Sequence, residues 1–212
     1  MTTERKFDSD DFAVYMNDFF TFTAADWTIT TTEDGAGSAT EVITPAAGGI
    51  LLLTNAAGDD DLDFLQSVET FKFTVGKRLL FKSRFYVTDA TQSDFVMGLQ
   101  ITDTTPLDVT DGIFFQKDDG DASLDFHVEK NNTASSAAAI ATIADSTPIT
   151  VEYYYDGADD NIDYYLNGVL TGTLPLTNIP DDEELAISFG IQNGEAVAKA
   201  MGIDYIKVVQ ER

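Results

Sequence analysis

The sequence predicts an all-β sandwich of two stacked antiparallel sheets. Short runs of β-branched and aromatic residues follow one another along most of the 212-residue chain, and Gly, Asp and Asn stand between them. Many short strands separated by such turn residues are typical of sandwiches and barrels. No helical pattern of about 10–15 residues separates the runs, so a parallel α/β sheet is disfavoured.

The clearest local signal is a hairpin centred on Asn167 and Gly168. These two residues lie between the β-rich runs 162–166 and 169–174. Both central residues of a type I′ turn need a positive φ, which Asn and Gly adopt more readily than other residues. We therefore predict a type I′ hairpin at this position.

Further strands are predicted wherever apolar residues alternate or cluster between turn residues. Alternation is clearest in 71–75 and 81–87. With the hairpin, the predicted strands are 20–31, 41–44, 49–54, 70–75, 79–87, 95–102, 112–117, 123–130, 137–143, 148–155, 162–166, 169–174, 185–191 and 199–209.

The segment before residue 20 departs from this pattern. Its apolar side chains recur at the spacing i, i+3, i+4, i+7 and i+8, at Phe12, Tyr15, Met16, Phe19 and Phe20. This spacing predicts a short amphipathic helix or an irregular arm. We assign 1–19 to an N-terminal arm and 20–212 to one sandwich domain. The arm either packs on its own sandwich as a lid or anchors on a partner through its aromatic face.

Composition limits the possible partners. The net charge is −25, from 37 acidic and 12 basic residues, and such a field repels nucleic acid. The chain has no cysteine, which excludes disulfides and thiolate metal sites. No apolar run is long enough for a membrane span, and residues 1–8 lack the apolar segment of a secretory signal. We therefore expect neither a nucleic-acid partner nor a membrane partner.

Basic residues are concentrated in one window of this acidic chain. They are Lys72, Lys77, Arg78, Lys82 and Arg84. Such a stripe either docks on an acidic partner or balances acidic residues on the same face of a sheet.

The second half of the chain carries a family resemblance. The segment 149–173 consists of a strand, a turn at 156–157 and the hairpin described above. It resembles the signature hairpin of concanavalin A-like jelly rolls of the laminin G and legume-lectin type. The runs 185–194 and 201–210 are similar to the closing strands of the same superfamily. The resemblance implies a concanavalin A-like jelly-roll sandwich and by itself names no function.

Enzymes with this fold include laminarinase-type glycoside hydrolases, whose motif Glu-x-Asp-x-x-Glu places carboxylates on alternate positions of one strand. Asp59, Asp61 and Asp63 alternate in this way, but 64–66 supplies no glutamate. We interpret the triplet as a solvated, Asp-rich turn and expect no catalytic residues. The single histidine, His127, cannot build a multi-histidine metal site, and we interpret it as an ordinary strand residue.

Cation binding and sugar binding are two other functions that parts of the sequence could serve. The oxygen-rich turns 118–121 and 156–161 are of a kind that binds hard cations, but neither has the spacing of an EF-hand loop. A structural calcium ion stays an open alternative, and no other cofactor is expected. For sugar binding, sandwiches of this type use exposed aromatic residues with Asn or Asp at loop tips. Trp27, the only tryptophan, has Ile29 and a run of Thr residues as neighbours and is predicted to anchor the core.

The whole pattern also resembles virion structural proteins of marine tailed phages. An acidic, cysteine-free jelly roll with an Asp-rich start at 8–11 and an Asp-Tyr ending at 204–205 matches that group. The resemblance implies a non-enzymatic capsid decoration or accessory protein on the phage head, assembled in the host cytoplasm. Its implied partners are the major capsid protein or another virion protein, with further copies of itself on the particle.

Two alternatives remain open beside this role: a lectin-like carbohydrate-binding module, which a virion could display to bind host glycans, and an unrecognised glycan-active enzyme. For a docking role, the residues that depart from the acidic background are the candidate contacts. They are Phe12, Tyr15, Met16, Phe19, Phe20, Lys77 and Arg78.

Overall fold

The computed structural model describes residues 10–158 and 160–212. The start of the predicted arm (1–9) and Asp159 of the second oxygen-rich turn lie outside the described residues. The first strands are β1 (Phe12–Asn17), β2 (Thr28–Thr32), β3 (Thr40–Thr44), β4 (Ile50–Thr54), β5 (Leu62–Gln66), β6 (Leu79–Val87), β7 (Ser93–Gln100) and β8 (Gly112–Lys117). The others are β9 (Ser123–Lys130), β10 (Thr133–Thr142), β11 (Ile149–Tyr155), β12 (Asn161–Leu166), β13 (Val169–Pro175), β14 (Ala186–Asn193) and β15 (Ala200–Glu211).

The strands form two antiparallel sheets, which confirms the predicted sandwich. The eight-stranded sheet has the order β13-β12-β11-β6-β15-β4-β3, and β1 pairs with β15 beside this path. The seven-stranded sheet has the order β10-β9-β8-β7-β14-β5-β2. Two short 3-10 helices, Ala24–Asp26 and Leu176–Asn178, complete the described structure. Neither of these helices is long and apolar enough to cross a membrane.

Aromatic side chains fill the space between the sheets. The Tyr153 ring, fully buried on β11, stacks on the Phe81 ring at 5.1 Å between centroids and 14° between planes. From the opposite sheet, the Phe126 and Phe115 rings lie 5.7 Å and 6.2 Å from the Tyr153 ring. Burying each large side chain contributes about 1.5–3 kcal/mol. These rings therefore join the two sheets into one core.

The predicted helix at the N-terminus is wrong, because Phe12–Asn17 is strand β1. It pairs with β15 from Phe12↔Glu211 to Asn17↔Ile206. β4 covers the same edge of β15 only at 200–203, which leaves the backbone of the following residues open to β1. The pairing with β15 outweighs the local preference that the helical spacing indicates. Phe19, which is part of that spacing, lies beyond β1 and has φ 47°.

Three other predictions also need correction. The run 20–31 is a strand only from Thr28, because Ala24–Asp26 forms a 3-10 helix before it. The run 70–75 is not a strand, because only Phe71 forms a bridge, with Leu185, before the chain turns at Gly76. Conversely, Leu62–Gln66 is strand β5, between β14 and β2, where we predicted a turn. Aspartate normally disfavours strands, so the sequence pattern conceals β5.

The predicted type I′ hairpin is present between β12 and β13. Leu166 pairs with Val169, and the two residues of the turn have positive φ, 49° at Asn167 and 79° at Gly168. A Cβ atom at Gly168 would meet nothing within 4 Å, so only the backbone conformation requires glycine there.

Gly168→Val should therefore destabilise the protein through backbone strain alone, by roughly 1–3 kcal/mol. Gly168→Asn is the matched control, because asparagine adopts positive φ at low cost. Thermal unfolding should show a lower Tm for the valine variant than for the asparagine variant. Equal Tm values for the two variants would contradict the assigned turn.

Candidate functional site

A polar cavity of about 280 Å³ opens on the outer face of the eight-stranded sheet. Among the described residues, those that line it come from β11, β12, β13 and the β11–β12 turn: Tyr154, Asp156, Asp160, Asn161, Asp163 and Thr173. We call it the Tyr154 pocket. It combines one aromatic ring with carboxylate, amide and hydroxyl groups at a loop tip.

The register of β11, β12 and β13 determines which side chains form the base of the Tyr154 pocket. Tyr154 pairs with Asp163, and Asp163 pairs in turn with Thr173, so the three side chains form a row across adjacent strands. The Tyr165 hydroxyl donates to Asp163 Oδ2 at 3.0 Å and orients that carboxylate. The base of the pocket is therefore built on strands rather than on a loop.

The turn that forms the rim is held against the rest of the sheet. Gly157 has φ 83°, and a Cβ there would lie 2.5 Å from Lys77 N, so this close approach requires glycine. The Gly76 amide donates to the Gly157 carbonyl at 2.8 Å, and the Leu176 amide donates to the Asp160 carbonyl at 3.1 Å. These bonds fix both ends of the turn.

The chemistry of the Tyr154 pocket suits a small polyhydroxylated ligand. Carboxylates accept hydrogen bonds from hydroxyl groups, while the Asn161 amide and the Thr173 hydroxyl both donate and accept them. Tyr154 adds an aromatic side chain to the lining, and it also packs against the apolar cluster of Phe12, Leu80 and Val209. A mainly apolar surface with a few placed polar groups is the usual composition of ligand sites, and this cavity lies toward the polar end of that range.

The outer face of the seven-stranded sheet is closed at its centre. Phe64, Phe114 and Val96 form an apolar patch there, and Val109 of the β7–β8 loop packs on it. The same loop is bound at the sheet by Gln66, whose Nε2 donates to the Ile101 carbonyl at 3.1 Å. The centre of this face is therefore filled by the chain's own loop.

Beside that patch, β9 carries Asp125, His127 and Glu129 at alternate positions, and so on one face. The two carboxyl groups are four residues apart, which is about 13 Å along a strand. Glycoside hydrolases hold their two carboxyl groups about 5–9.5 Å apart. This pair therefore has the wrong separation for that reaction.

His127 is tied to its neighbours. Its ring stacks on Phe114 at 5.3 Å and 14°, and Nδ1 lies 2.9 Å from Ser136 Oγ. Burial lowers the pKa of His127, an effect that Asp125 and Asp118 oppose. The ring therefore favours the neutral form at neutral pH.

The interpretation of the Asp triplet as a solvated turn is wrong for two of its members. Asp59 is exposed, but Asp61 and Asp63 are fully buried at 0% exposure. The Asp61 carboxylate accepts N–H groups from Asp34 at 2.6 Å, Gly58 at 2.6 Å and Gly35 at 3.0 Å. Burial raises its pKa, but these three donors outweigh burial and hold the pKa below the ordinary value. Asp61 therefore fastens the β2–β3 loop.

The predicted docking residues separate into two groups. Tyr15 packs edge-on against Phe71 at 6.5 Å, and Phe19 is fully buried against Phe189. Both rings belong to the core: Tyr15 points inward from β1, whose successive side chains point to opposite faces, and Phe19 is buried in the segment that follows β1.

The other docking candidates lie nearer the surface. Met16 and Phe20 are 51% and 72% exposed, and Lys77 is exposed. The Arg78 guanidinium lies 4.6 Å from the centroid of the buried Phe12 ring, and Arg78 pairs with Glu211 at 2.7 Å. Phe12, Met16 and Arg78 thus share the outer face of the eight-stranded sheet.

Part of the basic window balances acidic residues of the same chain, which was one of the two interpretations of the sequence. Lys72 pairs with Glu184 and Lys82 with Glu152, each at 3.0 Å, and Arg84 pairs with Asp204. Lys82 and Arg84 thus balance carboxylates on the neighbouring strands β11 and β15, and Lys72 balances one in the segment before β14.

The oxygen-rich turn 118–121 lies beside a cation that the chain itself supplies. Lys117 is 1% exposed, and its ammonium donates to the carbonyls of Thr91, at 3.0 Å, and Ser93. Within 10–158 and 160–212, no group of three or more His, Asp or Glu side chains is arranged to hold a metal ion.

Trp27 is the core anchor that the sequence predicts. Its ring packs edge-on against the buried Phe189 ring at 5.2 Å between centroids. The Tyr154 pocket, by contrast, was not predicted as a whole. The Asp-Asn turn was a signal for its rim, but the row from Tyr154 to Thr173 depends on strand register.

The overall fold is shared with proteins that act on or recognise carbohydrates. An endo-1,3-beta-glucanase from Streptomyces sioyaensis is 13% identical, with a TM-score of 0.67 over 98% of this chain and 99% of that chain. The Emp47p carbohydrate recognition domain is 12% identical, with a TM-score of 0.66 over 98% and 100%. A protein of unknown function from Shewanella oneidensis MR-1 is 14% identical, with a TM-score of 0.62 over 99% and 97%.

No protein-family model and no curated protein matches the sequence. The structural matches show that the fold is that of jelly-roll lectins and glycosidases, and at these identities they show the fold alone.

The state of His127 gives a prediction that can be measured directly. Because it is the only histidine, its ring protons give one set of NMR signals. In the folded protein they should titrate below about 6.5, because burial disfavours the imidazolium ion. The same chain unfolded in urea should titrate near 6.5. A folded-state midpoint at or above the unfolded one would contradict the burial and stacking described here.

Proposed function

We propose that the protein is a non-catalytic carbohydrate-binding module and that the Tyr154 pocket is its binding site. The observation that carries this proposal is the row of Tyr154, Asp163 and Thr173, which forms the base of a cavity rimmed by Asp and Asn side chains. An aromatic ring beside several fixed hydrogen-bonding groups is the combination that orients a sugar ring.

The likeness to solved structures supports a role with carbohydrates. Carbohydrate recognition domains and glycan-degrading enzymes both occur among them, at identities of 10–15%. We favour a carbohydrate-binding role over a glycan-degrading one because of the positions of the carboxylates in this chain. Asp61 is occupied by three N–H donors, and Asp125 and Glu129 are too far apart for glycoside hydrolysis.

The test is a glycan-array screen followed by calorimetry with the best ligand. Thr173→Val and Asn161→Ala should each weaken binding by about fivefold or more, because each removes a hydrogen-bonding group worth about 1–1.5 kcal/mol. Thr171→Val is the matched control, since it lies on the same strand, is equally exposed and is outside the pocket. Binding that survives both pocket changes would place the site elsewhere.

A non-catalytic module should not hydrolyse the polysaccharides that enzymes of this fold degrade. Incubation with laminarin, agarose, alginate and carrageenan fragments should release no reducing ends above background. Turnover that disappears in a folded Asp61→Asn variant would reverse this assignment and restore the enzyme alternative.

We keep attachment to a phage head as a second candidate, because one observation favours it. Val14 and Met16 are 54% and 51% exposed on β1, on the face that also carries the Arg78–Phe12 contact. Exposed apolar residues beside paired cations offer a contact that avoids the acidic surface. Because β1 belongs to the sheet, the test is substitution rather than deletion. A Val14→Ser, Met16→Ser variant should bind purified phage heads less than the parent does, and equal binding would dismiss this contact.

A further inference from the structure

Charged residues are missing from two separate segments of this acidic chain. The segments 131–144 and 164–180 contain none of its 37 acidic and 12 basic residues. The first segment includes all of β10. The second includes the end of β12, all of β13 and the 3-10 helix Leu176–Asn178. We call the surface that the two segments form the uncharged flank.

The fold brings the two segments together at one side of the sandwich. β10 is the edge strand of the seven-stranded sheet, and β13 is the edge strand of the eight-stranded sheet. These edges lie next to each other, and the Asn178 side-chain amide donates to Ser135 Oγ at 3.0 Å. Among the described residues, neither edge carries a further strand. The uncharged flank therefore spans both sheets and faces solvent.

Exposed apolar side chains lie on this flank. Val169 and Leu170 of β13 are 67% and 53% exposed, and Ala134, Ala138 and Ala139 of β10 are exposed as well. Apolar residues that cluster on an otherwise polar surface are typical of sites that contact another molecule. The flank therefore has the composition of an interaction surface.

The charge of the chain indicates which partner fits this surface. Two copies with a net charge of −25 each repel one another, and like charges that face each other across an interface weaken binding. A contact between copies must therefore exclude the acidic residues, as the uncharged flank does. At its border, Lys130 balances Asp181 and Asp182, at 2.5 Å and 2.9 Å. A cationic partner, by contrast, would be attracted to the acidic remainder of the surface.

We propose that the uncharged flank is the surface on which a second copy of the chain docks, with the two copies related by a two-fold axis. A two-fold contact sets the same surface against itself, which an uncharged surface allows without repulsion. Both edge strands are interrupted, since β10 shifts register between Ala137 and Ala141 and β13 shifts between Leu170 and Gly172. Such bulges oppose continuous strand pairing between chains. The side chains of the flank therefore make the contact, and the assembly closes as a dimer.

The size of the flank limits the strength of the dimer. The 10 residues of β10 span about 33 Å, and stacked sheets lie about 10 Å apart. A strip of this size is at the lower end of the areas that specific interfaces bury. We therefore expect a weak, reversible dimer. Salt screens the repulsion between the two acidic bodies and leaves the apolar contact in place, so salt should strengthen association.

Sedimentation equilibrium of the parent at increasing protein concentration, in about 0.05 M and about 0.5 M NaCl, tests the proposal. The dimer fraction should rise with protein concentration and should be larger at the higher salt concentration. Val169→Asp should weaken association by about tenfold or more, because the two-fold axis brings like charges together. Val68→Asp is the matched control, since Val68 is 74% exposed outside the flank and the change adds the same charge. A parent that stays monomeric, association that weakens with salt, or equal effects of the two changes would overturn the proposal.

A distance measurement tests where the copies meet. Because the chain has no cysteine, a spin label can be placed at Leu170→Cys alone or at Val68→Cys alone. In the dimer, the distance between the labels of the two copies should be shorter for Leu170→Cys, and an equal or longer distance would overturn the proposal. If Val169→Asp does not fold, Ala138→Asp places the same charge on β10 and should weaken association in the same way. A parent that stays monomeric but loses a glycan ligand on the folded Val169→Asp change would assign the flank to a carbohydrate instead.

Discussion

A buried hydrogen-bonded network around Asn193 holds the two sheets together at one end of the sandwich. Asn55 follows β4 of one sheet, and its Nδ2 donates to Asn193 Oδ1 of the other at 3.0 Å. The Lys199 amide donates to the same oxygen at 3.0 Å, and Asn193 Nδ2 donates to the carbonyls of Ala56 and Gly58, each at 2.8 Å. Leaving one such group unpaired costs about 1–3 kcal/mol, so the loops at this end are fixed together.

The network continues through charged groups to the neighbouring turn. The Lys199 ammonium, almost fully buried, pairs with Asp89 at 2.7 Å and with Glu195 at 2.5 Å. Asp89 also accepts the amides of Thr91 and Gln92. Burial raises the pKa of Asp89, but the Lys199 ammonium and these amides outweigh burial and lower it to about 2. This end of the sandwich therefore depends on a network of hydrogen-bonded and ion-paired polar groups.

The Tyr154 pocket lies at the opposite end of the eight-stranded sheet. Strand β6 runs between the two ends. Its first residue, Leu79, pairs with Tyr155 beside the pocket, and its last residue, Val87, is followed by Asp89 of the network. A rigid scaffold with a polar site at its far end is a common arrangement for binding, because fixed strands hold the ligand contacts in place. The polar network and the proposed binding site thus lie at opposite ends of the eight-stranded sheet.

The difference between local and long-range interactions explains which features could be predicted from the sequence. Local rules identified the Asn167–Gly168 turn and the strands on which the aromatic core is built, because those features depend on neighbouring residues. They failed for β1, since its strand form depends on the free edge of a partner more than 190 residues away, as in the pairing Phe12↔Glu211. They also failed for β5, since the burial of Asp63 on this strand, and of Asp61 just before it, depends on tertiary structure that no local pattern reveals.

Aspartate in this acidic chain therefore has several physical roles. Asp89 is ionised and paired with an ammonium, Asp61 is held by backbone N–H groups, and Asp63 is buried with no hydrogen-bond donor to its carboxyl among the described residues. Asp163 stands at the surface, where one oxygen accepts the Tyr165 hydroxyl and the carboxylate lines a cavity. Composition alone does not distinguish these four aspartates. The groups that surround each carboxyl decide whether it fastens a loop, neutralises a cation, holds a proton or lines a cavity. Among them, only the carboxyl at the surface of the strand row is placed to bind something outside the chain.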